Sequence, residues 1–248
     1  MHWIKFKDYF HPSWHPKMQK WVESEACDKI YEFLKNESKR GKKITPLSSL
    51  TYRAFLETPL NEIKVCIAGF SPYHTAKNGV LIADGLLMGC SITGKCQPSL
   101  EQFYKGIEKE VYNGLALDRH KNPDVLYLAK QGVFMFNTSL TTELNKPGSH
   151  LDIWEPFTKY VIEECLGYTG IPIVFLGKEA AKCQKYVTPF THSFVLKHPA
   201  SASYASGEWD CEGVFRKINK IIKENNNYVI DWLEPMEEKV YQNDDIPF

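Results

Sequence analysis

The chain has 248 residues, 43% of them apolar, with 30 basic and 30 acidic side chains and a formal net charge of zero. That supports a sizeable core in one large domain or two small ones, and it excludes a global positive field as the means of holding nucleic acid. No stretch reaches the ~18 apolar residues of a membrane-spanning helix.

The first five residues lack the long apolar core of a secretory signal. Trp3, Phe6, Tyr9, Phe10 and Trp14 make residues 1–17 an aromatic-rich arm that is expected to pack on the domain. Over residues 18–39, Val22, Ala26, Ile30, Phe33 and Leu34 recur at helical spacing, and the basic run at 39–43 suits a helix C-terminus. A turn-rich loop follows at 44–49. Val65, Cys66, Ile67 and Ala68 read as a short buried strand. Gly69 allows a sharp exit, Pro72 fixes the backbone, and Tyr73 and His74 follow at the strand's carboxyl end. Residues 76–79 signal a turn, and 80–88 are apolar except for Asp84 and Gly85. Leu100, Phe103, Tyr104, Ile107 and Val111 mark an amphipathic helix with Ser99 as its expected N-cap. Residues 133–136 form a second strand ending in Asn137, with a helix from about 155. A third strand at 171–176 closes on Gly177, a helix covers 179–185, and a fourth strand at 193–197 ends in His198-Pro199. Phe215, Ile218, Ile221 and Ile222 belong to the last helix.

Short, continuously apolar strands alternating with amphipathic helices belong to a parallel sheet covered on both faces. With no linker, repeat or composition break, the expectation is a single α/β domain over residues 1–248. The seven cysteines are scattered singly, without a C-x-x-C. An odd, unpatterned set points to a reducing, cytoplasmic setting, with no disulfide framework, no zinc or iron–sulfur site and no cofactor.

Polar residues follow each strand: Ser71, Tyr73 and His74, then Asn137, Lys178 and His198. Each alone reads equally as a turn residue; in a parallel sheet all of them fall on one edge. Here the sequence resembles family 1 uracil-DNA glycosylases, over nearly its whole length. The long run 128–141, Leu-Ala-Lys-Gln-Gly-Val-Phe-Met-Phe-Asn-Thr-Ser-Leu-Thr, looks like that family's A-K-Q-G-V-L-L-L-N-x-x-L-T segment. Residues 58–60 leading into 65–69 resemble the approach to its G-Q-D-P-Y-H motif. His198-Pro199-Ala200-Ser201-Ala202-Ser203 stands where the family has H-P-S-P-L-S. Cys211, the Ile230-Asp231-Trp232 ending and Pro98-Ser99-Leu100 also match.

The resemblance implies a three-layer α/β/α sandwich around a four-stranded parallel sheet. It also implies a monomer that flips a nucleotide out of DNA and reads its edge. In the family, the Asn at 137 pairs with the uracil edge, the Tyr at 73 blocks a 5-methyl group, and the His at 198 stabilises charge growing on O2. Four departures surround the base. The family's Gln-Asp, whose Asp positions the attacking water, is Phe70-Ser71. The aromatic residue that stacks on uracil is Met88, and the Leu that wedges into the duplex is Ala202. Residues 75–83 run about four residues longer than usual. Ser71, His74 and Asp84 are the candidates for activating water. Pro46, Ser48, Ser99, Lys178, Ser201, Ala202 and Ser203 lie on loops that match the family's phosphate grip. Three readings follow: excision of a modified pyrimidine, with hydroxymethylated or glucosylated cytosine of phage DNA as the candidate; weak uracil excision; and an inactive binding protein. The first is the leading expectation.

Overall fold

The computed structural model describes residues 3–115, 119–167, 169–204 and 207–235. The two ends of the domain expected over 1–248, including the start of the aromatic arm, lie outside that range.

Four parallel strands form the centre: Val65–Gly69 (β1), Val133–Asn137 (β2), Ile173–Leu176 (β3) and Ser193–Leu196 (β4), in the order β2-β1-β3-β4. Every residue of β1, β2 and β3 is buried, because helices cover both faces. The edge strand β4 is less covered, and its Val195 is exposed. The helices are His15–Val22 (α1), Glu25–Lys39 (α2), Arg53–Glu57 (α3), Pro98–Val111 (α4), Leu126–Ala129 (α5), Leu151–Tyr160 (α6), Lys178–Ala181 (α7), Ala200–Tyr204 (α8) and Val214–Asn226 (α9). The fold is the three-layer α/β/α sandwich. Among the described residues, no helix is long and apolar enough to cross a membrane.

Strand periodicity distributes the core. Phe134 and Phe136 project from the same face of β2 and stack at 5.0 Å. Phe134 meets Trp14 of the N-terminal arm and Phe55 of α3 at 5.3 and 5.0 Å. Trp14 is wholly buried, and its indole N–H is donated to the Thr58 carbonyl at 2.8 Å. A separate aromatic group, Phe103, Trp209, Phe215 and Trp232, joins α4 to α9.

Three expected elements differ. The single helix over 18–39 is two helices, because Ser24 accepts the Cys27 N–H as an N-cap and starts α2 afresh. The helix expected from about 155 begins at Leu151. Pro156 lies inside it, since the burial of Trp154 and its N–H bond to Thr141 Oγ1 (2.7 Å) hold the earlier turn in place. Ser99 is not the cap of α4: Gln97 precedes that helix, without a side-chain cap, and the Ser99 hydroxyl is engaged elsewhere. The lengthened segment after His74 is a small antiparallel hairpin, Ala76–Lys77 against Val80–Leu81. Asn78 and Gly79 both take positive φ (51° and 80°), as a tight two-residue hairpin turn requires.

Candidate active site

The parallel register sets β1 and β2 level, with Gly69 beside Asn137. Their exits are stitched together. The Thr138 N–H donates to the Gly69 carbonyl (2.8 Å), and the Phe70 carbonyl accepts both the Ser139 N–H and the Thr138 hydroxyl, each at 3.1 Å. The Phe70 ring lies against Gly148 so closely that a Cβ there would fall 2.1 Å from its Cζ, and Gly148 also has a positive φ of 70°. The loop carrying Pro147 thus walls the exit of β1, and the Asn145 N–H bonds the His74 carbonyl at 2.6 Å.

A cavity of about 480 Å³ opens at this edge, within the size range of small-molecule sites. Phe70, Ser71, Tyr73, His74, Met88, Ser99 and His198 line it, as does Leu87, which the sequence reading passed over. Gln97, Pro98 and Pro147 complete the wall. Another cavity, of about 440 Å³, lies between the arm and α2, but no strand-end polar residues converge on it.

His198 is held on two sides. Gly177, at φ 91°, lies under it so closely that a Cβ would sit 3.1 Å from the His198 Cβ. From the other side the Ala200 N–H donates to Nδ1 at 3.2 Å. An acceptor Nδ1 places the ring proton on Nε2, which makes that nitrogen a donor. Burial lowers the pKa of the imidazole from its ordinary value, because the cation would be poorly solvated. The ring is therefore a neutral donor at neutral pH.

Tyr73 is fixed as well. Its hydroxyl and that of Ser99 are 2.7 Å apart, and its carbonyl accepts the Thr45 hydroxyl at 3.2 Å. Burial pushes its phenol pKa up, so it stays protonated. Met88 is a buried non-glycine residue with φ 59°, a conformation that costs roughly 1–2 kcal/mol.

Two expected residues are placed differently. Asp84 was a candidate acid, or else a solvent-facing side chain. It is neither, being 1% exposed and absent from the cavity wall. Its Oδ2 meets Arg53 Nη1 at 2.9 Å and accepts the Ser91 hydroxyl at 2.6 Å and the Ser91 N–H at 3.1 Å, while Oδ1 accepts the Leu86 N–H at 3.1 Å. With both oxygens bonded to structural partners, it anchors both ends of the loop that presents Leu87 and Met88. Asn137 is 4% exposed and is not among the residues lining the cavity, and its Oδ1 has no hydrogen-bond partner among the described residues.

The expected phosphate-gripping residues divide similarly. Ser48, Lys178 and Ser201 are exposed, although the Ser201 hydroxyl donates to the His198 carbonyl at 2.7 Å. Pro46 and Ser99 are buried, and Ser203 leans toward the Pro98 carbonyl at 3.5 Å. Ala202 is 8% exposed and packs in the core, so it presents nothing to wedge into a duplex. Among the described residues, no group of His, Cys, Asp and Glu is arranged to hold a metal ion.

No family model matches the chain. It is 34% identical over 228 residues to the uracil-DNA glycosylase of Pseudomonas aeruginosa strain UCBPP-PA14, covering 90% of this chain and 94% of the relative. To the Francisella philomiragia uracil-DNA glycosylase it is 34% identical over 210 residues, covering 82% and 91%. The crystal structure of mimivirus uracil-DNA glycosylase superposes with a TM-score of 0.79 at 25% identity, over 90% of this chain and 87% of that one.

Proposed function

The chain belongs to the uracil-DNA glycosylase family, and from that membership we propose that it is a DNA glycosylase that excises a flipped-out pyrimidine and leaves an abasic site. The observation that carries the proposal is His198: a half-buried, neutral imidazole, oriented by the Ala200 N–H, lining the cavity with Nε2 left as a donor. As the C1′–N1 bond breaks, its electron pair moves onto the base and collects at O2, where Nε2–H stabilises it. Water then adds at C1′. A preorganised donor of this kind contributes about 3–4 kcal/mol. Ser71 and His74 line the same cavity and are the groups available to orient that water. Neither is a carboxylate, and assistance by a positioned carboxylate base is typically worth about 10²–10⁴-fold.

Tyr73 decides which pyrimidine comes first. Its hydroxyl is tied to Ser99, and the extra residues after His74 go into an exposed hairpin. A side chain pinned in this way closes the space beside C5, which favours uracil over a 5-substituted base. The modified-pyrimidine reading, with hydroxymethylated or glucosylated cytosine as candidate, is second. It is supported by Met88, whose flexible thioether tolerates shapes that a rigid ring would not. It requires the Tyr73–Ser99 bond to break. Alkaline cleavage after incubation with uracil, unmodified, hydroxymethylcytosine and glucosylated DNA tests both. Abasic sites are expected in uracil DNA, and sites confined to modified DNA would reverse the order. No sites in any substrate would leave a protein that only binds. Ser71→Asp is expected to raise uracil excision by about 10²-fold or more, read from single-turnover rates.

A further inference from the structure

Asn137 sits at the strand edge with an amide oxygen that is buried and has no partner among the described residues. Such an atom ordinarily costs about 1–3 kcal/mol. What covers it is visible at Gly69. A Cβ built there would fall 3.1 Å from Asn137 Oδ1 and only 2.1 Å from Leu87 Cδ1. The amide and the leucine tip crowd the same point, where β1 ends. Leu87 lines the cavity and Asn137 does not.

We infer that Leu87 is a displaceable cover over the Asn137 amide, and that it weakens the binding of every base that engages that amide by the work of its displacement. This rests on the reading of the site as a base pocket. The backbone beneath Leu87 does not need to move. Asp84 clamps the loop at Leu86 and Ser91, and the Leu87 N–H is bonded to the Met135 carbonyl at 3.2 Å. Opening is therefore a side-chain rotation of Leu87 into the adjoining cavity. A base presenting a donor to Oδ1 recovers that work by satisfying the buried acceptor. One that presents only an acceptor there leaves the cover shut. The cover thus weighs on bases with a ring N–H on the edge they offer, as uracil has at N3, and not on cytosine, whose N3 is an acceptor and which leaves it shut.

Binding of free uracil and free cytosine, followed by NMR titration, tests this without depending on cleavage. Four proteins are needed: wild type, Leu87→Ala, Asn137→Ala and the double variant. Leu87→Ala is expected to tighten uracil binding about tenfold or more, because a larger fraction of molecules is then open. The gain should disappear when Asn137 is also replaced, and cytosine binding should change little with Leu87→Ala. A Leu87→Ala protein with an unchanged circular dichroism spectrum and unchanged or weaker uracil binding would overturn the inference. So would a gain of equal size in the Asn137→Ala background, or no uracil binding in any variant. If Leu87→Ala does not fold, Leu87→Val serves in its place, and a folded Val variant without a gain is equally negative. Absence of cleavage by wild type on every DNA would count against the glycosylase reading and leave the binding cycle interpretable.

Discussion

Asp84 and Asn137 are both buried polar residues beside the same cavity, and they are opposites. Asp84 accepts bonds from Leu86 and Ser91 and pairs with Arg53, which reaches on to Asp124 at 3.2 Å. Asn137 leaves its Oδ1 without a partner among the described residues. A buried group whose bonds are all satisfied within the chain serves the chain. One left open at a ligand cavity is the group with something to offer a ligand.

The contrast can be broken by mutation, and the largest effect should come from Asp84. Asp84→Ala takes from Arg53, only 13% exposed at the side chain, its nearest carboxylate and leaves it Asp124 and Glu57, and it frees the loop ends, for an expected loss of about 3 kcal/mol in urea denaturation. Asp84→Asn should lose less, and its folded fraction should cleave at the wild-type rate; a collapse of the single-turnover rate with the fold intact would return Asp84 to the chemistry. Next is His198→Ala, expected to slow excision by about 10²–10³-fold with little change in stability. Asn137→Ala should be the mirror image of Asp84→Ala. Its stability should change by less than about 1 kcal/mol, because an unpaired acceptor is removed, while excision falls measurably. An Asn137→Ala protein that is both destabilised and fully active would abolish the distinction.

The smallest effect concerns acid. Burial lowers the pKa of both His198 and His150 from their ordinary 6.5. The unfolded chain therefore takes up protons at these positions before the folded one does. Stability contributed by keeping the two rings neutral is present above 6.5 and declines as the pH falls below it. Thermal melts across that range should show the decline, and His150→Phe should flatten part of it.

The two kinds of buried polar residue also mark what sequence could reveal. The strands were legible because parallel strands covered on both faces are continuously apolar, as residues 65–68 and 133–136 are. That Tyr73, His74 and His198 come together at one cavity was legible because each follows a strand, and strand ends share an edge. Asp84 was not, since nothing local distinguishes an acid that meets Arg53, 31 residues earlier, from one facing solvent. Leu87 was not either: in a run of apolar residues it looked like core, and in part it is.

The sequence by itself determined the family, the sheet and the residues that gather at its edge, because those depend on periodicity and on motifs of neighbouring residues. Only the tertiary structure decided that Ser99 holds Tyr73 instead of capping α4, that Ala202 is buried, and that Leu87 and the Asn137 amide meet over Gly69. These are contacts between segments far apart in the chain. Each depends on distances of a few ångströms that periodicity does not encode.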